Sequence, residues 1–162
     1  MPSDYLLEIE GIKGETTDAK HKDTIEVESF SWGETHPGSM AHGTGGATGK
    51  VSFQDLHFST KVNKASPIIA MSCATGKHID KATLFVRKAT GDGGQQDYYK
   101  ITLEEVMVSS YQSGGHNGGD SVPSDQFALN FAKIEFAYKP QSSKGALEPD
   151  IIFKYDVKKQ EK

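Results

Sequence analysis

Four groups of residues have the side chains that chemistry requires, and spacing decides what each can do. Cys73 with His57 or His78 would make a nucleophile and its base, the thiolate being the reactive form. Cys73, however, stands in an apolar run, where a thiol is buried and inert. Asp55 with His57, and Glu104 with Glu105, have the make-up of acid–base pairs. Both pairs fall where the apolar alternation of a strand breaks, and there polar residues face solvent or cap a bulge. His36 and His42 flank Met40 in a glycine-rich stretch that supplies no third and fourth ligand for a structural metal. The run 45–50, GGATGK, has the composition of a phosphate cradle, but the first glycine would have to stand at Thr44 and Lys50 is followed by Val51. It is no dinucleotide fingerprint either, since the third glycine position falls on Thr48. The sequence therefore offers no catalytic residue, no cofactor site and no metal site, and the expectation is a protein that is not an enzyme.

The elements that would position these residues are mostly strands. One stretch, 49–77, holds a strand, the one convincing helix and that helix's stop. Ser66 as N-cap and Pro67 as first helical residue predict a helix over 67–75, ended by Gly76 in a left-handed conformation. Such a helix is too short to stand alone. Ile68, Ile69, Ala70, Met71, Cys73 and Ala74 make it apolar on nearly every side, so it needs neighbours on more than one side. Ile68, Ile69, Met71 and Cys73 are accordingly the candidates for helix packing and for contact with a partner subunit.

Elsewhere alternation predominates, and four times it slips by one residue. Ile25 and Val27 give way to Phe30 and Trp32, and Val51 and Phe53 to Leu56 and Phe58. Tyr99, Ile101 and Leu103 give way to Val106 and Val108; Phe127, Leu129 and Phe131 to Ile134, Phe136 and Tyr138. A slip needs either a bulge or a strand whose halves bury opposite faces. Bulged, strongly coiled strands bending round a small barrel are the favoured reading, and opposite burial is left open as a sign of oligomerisation. With Tyr5, Leu7 and Ile9, with Ala82, Leu84 and Val86, and with a last strand over 151–157, the count is seven or eight strands and one helix. The fold class is mainly β.

The 162 residues suit a single domain, 1–162, in which 158–162 is a candidate disordered tail. One cysteine excludes an internal disulfide and fits a reducing compartment. A net charge of −4 with dispersed lysines excludes a nucleic-acid footprint. The opening residues lack the apolar run of a signal peptide and no stretch is long enough to span a membrane, so folding in the cytoplasm is expected.

Laid end to end, SFSWG at 29–33, the loop with PGSM at 37–40, GKVSFQDLHFSTKVNKASP at 49–67, CATGK at 73–77, ITLEEVMVSSYQSGG at 101–115 and LNFAKIEFAYKPQ at 129–141 resemble the haemolysin-coregulated protein (Hcp) family, in the same order and over almost the whole chain. The resemblance implies a small two-sheet β-barrel with one flanking helix, like phage tail tubes. It implies a tube component of the bacterial type VI secretion system whose hexameric rings stack inside a contractile sheath beneath a spike. Assembly would be cytoplasmic, followed by secretion without a cleaved signal peptide, and small effectors would be carried in the lumen. Residue by residue, it places Ser31, His116 and Asn117 towards cargo, with a histidine at 116 where family members also have a small residue. It places the ring-stacking contact in the loop with His36, Pro37, Gly38, Ser39, Met40 and His42. Some family members carry a toxin domain after the barrel; here the strand pattern runs to Val157 and none is expected. The alternative kept beside this reading is a monomeric β-barrel binding a small ligand.

Overall fold

In a computed structural model, the structure describes residues 4–38, 50–89, 94–118, 122–143 and 145–162. Along these residues run β1 (Asp4–Ile9), β2 (Ile25–Glu26), β3 (Ser29–Ser31), β4 (Glu34–Thr35), β5 (Ser52–Phe53), β6 (Leu56–Lys61), α1 (Ser66–Thr75), β7 (Ile79–Ala89), β8 (Gln95–Gly114), β9 (Ser124–Tyr138) and β10 (Ile151–Asp156). The two layers expected of the barrel are one continuous antiparallel sheet in the order β2-β1-β7-β8-β9-β6-β3, with β10 on β9, and a separate ribbon of β4 and β5.

The sheet curls because its two ends are parts of one stretch of chain. Val27 N–H donates to Tyr5 O beside β1 at 2.9 Å, and the next residue, Glu28, donates to Ser59 O on β6 at 2.8 Å. Adjacent residues thus bond to opposite ends of the path, which brings the sheet round on itself. The long strand β9 divides its outer edge in a similar way, pairing with β6 over 124–129 and with β10 over 133–138. Inside sit Leu7, Ile25, Leu56, Leu84, Ile101, Leu103, Phe127 and Leu129, each nearly inaccessible to water. Side chains therefore occupy the interior.

The four phase slips have two causes. The first two are breaks: the chain leaves β1 for β6 between β2 and β3, and leaves the ribbon for the main sheet between β5 and β6. The other two lie opposite each other on β8 and β9. Register is unbroken across them, from Glu104↔Lys133 to Val106↔Phe131, and between these pairs Glu105 takes φ 53°. Each strand shifts its apolar set by one at the same level, so neither gains a residue on the other and no offset appears. The bulges themselves fall elsewhere, both on β8: Ser109 is the extra residue between Val108 and Ser110 against β9, and Tyr98 the extra residue opposite Val86 and Arg87 of β7.

Helix α1 differs from expectation at its start. It begins at Ser66, after Ala65, and no side chain caps it. The Ser66 hydroxyl accepts from Asn63 N–H at 2.9 Å and donates to the Asp125 carboxylate on β9. The Asp125 carboxyl group is fully buried, and a hydrogen bond shielded from water holds a hydroxyl more firmly than an exposed cap bond would. Gly76 closes the helix at φ 64°, as its position predicts. Ile69 and Ser72 are buried, Cys73 is partly covered, and Ile68 and Met71 remain 43% and 64% exposed. The residues after β10 turn back, with Asp156 N–H donating to Glu161 O at 2.7 Å.

The polar loop 11–22 is pinned to the sheet by charge. Arg87, almost wholly buried on β7, reaches Asp4 at 3.0 Å and Asp18 at 2.9 Å. Asp18 also accepts from the Lys20 and His21 N–H groups. His21 stacks on Phe85 with ring centroids 4.1 Å apart and meets Asp97 at 3.0 Å. The Arg87 hydrogen bond holds the Asp18 carboxyl below its ordinary range, against the opposing effect of burial. A lowered folded-state value means stability present above the ordinary carboxylate range and lost as pH falls through the lowered value. Comparing urea midpoints of wild type and Asp18→Asn over an acid titration should show a gap at neutral pH that closes in acid; a gap independent of pH would contradict the ion pair.

The same loop depends on one glycine. Gly14 N–H donates to Asp23 O at 2.8 Å, and a Cβ at this position would stand 2.2 Å from the Thr24 carbonyl oxygen. Because that neighbour is backbone within a bonded turn, it cannot swing aside as a side chain would. Gly14→Ala is expected to cost about 1–3 kcal/mol, the usual range for overpacking. The measurement is the urea midpoint, and a value equal to wild type would show that the loop backs away freely.

Candidate functional site

At one end of the barrel, β3, β6, β9 and β8 lie side by side, and their register arranges side chains in rungs. Phe30, Phe58, Phe127 and Tyr111 form the inward rung. The rung on one side of it is Ser29, Ser59, Gln126 and Gln112, and on the other Ser31, His57, Ala128 and Ser110. Strand alternation sends the aromatic rung into the core and both polar rungs outward. All of them but the buried Ala128 line an open cleft of about 460 Å³.

The cleft is polar yet nearly without charge. Hydroxyls and amides predominate, and His57 is the titratable group on its outward rungs. Beyond His57 on the same side, Asp55 accepts from Ser109 Oγ at 2.6 Å and from Asn130 Nδ2 at 2.8 Å, so it ties β6 to β8 and β9. The other halves of β8 and β9 contrast sharply. There most of the outward positions are charged, with Lys81, Glu104, Lys133 and Asp156 in one rung, and Glu135 and Lys154 beside Thr83 and Thr102 in the next. One pair of long strands thus carries an uncharged face at one end and a charged face at the other.

Beneath the uncharged face lies a buried anchor. Asp125, on β9, has no exposed surface and accepts hydrogen bonds from Tyr111 Oη at 2.7 Å and from Ser66 Oγ. Burial, and then the bond to Asp125, push the Tyr111 hydroxyl above its ordinary range, so it stays protonated and donating at neutral pH. This network fastens the start of α1 to the β8–β9 pair.

Among the described residues the candidate pairs do not come together as a reactive constellation. Asp55 bonds to Ser109 and Asn130 rather than to His57. His78 pairs with Asp80 at 3.2 Å, and no hydrogen bond joins Cys73 to a histidine among the described residues. Glu104 sits across from Lys81 and Lys133, while Glu105 meets Lys158 at 3.5 Å. Among the described residues no group of histidine, cysteine and carboxylate side chains is gathered to hold a metal. What the face can do is make many hydrogen bonds over a broad, shallow surface.

The family model described as "Type VI secretion system effector, Hcp" matches residues 6–138. The chain belongs to the Hcp family. Protein hcp1 of Pseudomonas aeruginosa is 42% identical over 146 residues, which is 90% of this Hcp chain and 89% of that protein. A solved structure described as a type six secretion system protein matches with a TM-score of 0.90 at 26% identity, covering 99% of both chains. Hcp1 from Salmonella typhimurium matches with a TM-score of 0.79 at 31% identity, again over 99% of both. The mainly β, curled-sheet architecture is that of these two structures.

The residues singled out in this Hcp sequence fall in four places, apart from those outside the described residues. Ser31 lies in the cleft, on the rung of His57. His116 and Asn117 are exposed in the turn that follows β8, the strand that carries Ser110 and Gln112. His36, Pro37 and Gly38 are exposed after β4, whereas Ser39, Met40 and His42, like residues 45–49 of the glycine run, lie outside the described residues. Ile68, Ile69, Met71 and Cys73 are divided between the core and the outer side of α1. Sequence reasoning missed Ser29, His57, Ser59, Ser110, Gln112 and Gln126 as one surface. The signal was present, since Ser29, Ser31, His57, Ser59, Ser110, Gln112 and Gln126 bring serine, glutamine and histidine where the other halves of β8 and β9 have lysine and glutamate.

Proposed function

We propose that this chain is a tube subunit of the type VI secretion system, whose copies join head-to-tail into hexameric rings that stack into an ejectable tube. The observation that carries this reading is the division of α1. Ile69 and Ser72 are buried in the subunit's own core, while Ile68 and Met71 present apolar surface that the subunit does not cover. A neighbouring copy in a closed ring can bury it. Ile151 and Ile152, 65% and 51% exposed on the edge strand β10, offer a second such surface.

The uncharged face of β3, β6, β9 and β8 suits a lumen wall. Hydroxyls and amides hydrogen-bond with many protein surfaces, directly or through water, without strong attraction to one sign of charge. Ser31 would lie on that wall, with His116 and Asn117 beside it. The loop that begins with His36, Pro37 and Gly38 would reach the next ring. Sheath and spike proteins, and small effectors in the lumen, are the partners this reading supplies. It assigns the chain no catalytic role, and it places assembly in the bacterial cytoplasm before export.

Light scattering on a size-exclusion peak, repeated at several loading concentrations, tests the ring. The expected mass is that of a hexamer, and Met71→Asp is expected to yield folded monomers because a charge cannot be buried unpaired at the contact. A monomer at every concentration in wild type would overturn the proposal.

A further inference from the structure

The chain has three asparagines, and their surroundings differ. Asn63 is held at both ends of its amide: Oδ1 accepts from Ala65 N–H at 2.9 Å and Nδ2 donates to Lys61 O at 2.8 Å. Asn130 lies within β9, donates to Asp55 at 2.8 Å and is followed by the buried Phe131. Asn117 is exposed in the turn after β8, and its amide takes part in no hydrogen bond among the described residues. Gly118 follows it. The Gly118 N–H likewise has no acceptor among the described residues, its φ is 146°, and nothing stands within 4 Å of where a Cβ would be.

We infer that Asn117 is a site of spontaneous, backbone-assisted deamidation in the folded chain. The Gly118 amide nitrogen attacks Cγ of Asn117 and gives up its proton to water. A carbon–nitrogen bond forms, the side-chain amino group leaves as ammonia, and a cyclic imide spans the two residues. Water then adds to one or the other imide carbonyl, leaving aspartate or isoaspartate. No oxidant or reductant takes part. Glycine at 118 matters twice: no side chain shields the attacking nitrogen, and no Cβ restricts the backbone that must bend to bring it to Cγ. Asn63 and Asn130 lack both features, and their amides are tied down.

The consequence is electrostatic. From 106 to 118 the sequence has no acidic residue, so the product adds a carboxylate to that stretch, next to His116. The inference stands on the turn alone and does not depend on the ring.

Native protein held at mildly alkaline pH, a parallel sample in denaturant, and the Asn117→Gln variant are compared by peptide mapping with mass spectrometry. In native protein the Asn117 peptide is expected to exchange –NH2 for –OH and to resolve into aspartyl and isoaspartyl forms. Asn63 and Asn130 should convert only in denaturant, and the variant should lose both products. An Asn117 amide that persists in native protein but converts in denaturant would overturn the inference. So would aspartate formed without isoaspartate, since direct hydrolysis bypasses the imide.

Discussion

Phe127→Ala is expected to lower stability by about 3–5 kcal/mol, the range for removing a large aromatic from a packed core. Phe127 is essentially inaccessible and stacks on Phe58 with centroids 5.3 Å apart. It is the third member of the rung Phe30, Phe58, Phe127 and Tyr111, so its loss leaves a gap between two strands whose backbones are fixed by ladder bonds on both edges. Such a site collapses poorly, and the cavity adds to the lost transfer energy. Gln126 and Ala128 flank it on the outward face, which ties the flatness of the polar surface to this one interior ring. Urea unfolding is the measurement. A loss below about 1 kcal/mol would mean that β6, β9 and β8 close around the gap, and the rung would then not be what sets their spacing.

Asp125→Ala should cost about 3 kcal/mol, from losing two bonds to a buried carboxyl group and leaving the buried Ser66 hydroxyl without its acceptor. The Tyr111 and Ser66 hydroxyls would both lose their partner. Thr60, opposite Asp125 on β6, already has a buried hydroxyl without a partner among the described residues, so the site is under-satisfied before the substitution. Asp125→Asn keeps the shape and one acceptor oxygen, and should fall between wild type and alanine. Because Asp125 fastens the start of α1 to β8 and β9, the alanine variant should also loosen the helix that presents Ile68 and Met71. Amide exchange over α1 reads this directly. If alanine and asparagine variants unfolded at the wild-type midpoint, the network would be ornamental to the fold.

The helix shows how far local sequence reached and where it stopped. Gly76 was readable because a left-handed residue at a helix end is a local requirement, met by one residue type. Ser66 was misread for the opposite reason: its preference for capping is a weak local effect, and Asp125, 59 positions along the chain, outcompetes it. The apolar character of 68–74 was plain, yet which of those residues face inward is decided by packing on β8. The slips tell the same story. Alternation located every one of them, but only pairing shows that two are departures to another part of the sheet and two lie opposite each other at Glu105.

By itself the sequence determined the mainly β class, one short helix with its stop, the apolar positions of the long strands and membership of the Hcp family, because each is written in local periodicity or in an ordered set of motifs. The tertiary structure alone decided that 25–31 joins the two ends of the sheet, that Arg87 and Asp125 are buried anchors, and that residues from four strands form one uncharged face. The physical reason is that register and burial belong to pairs of segments far apart in the chain, and no property of either segment alone specifies its partner.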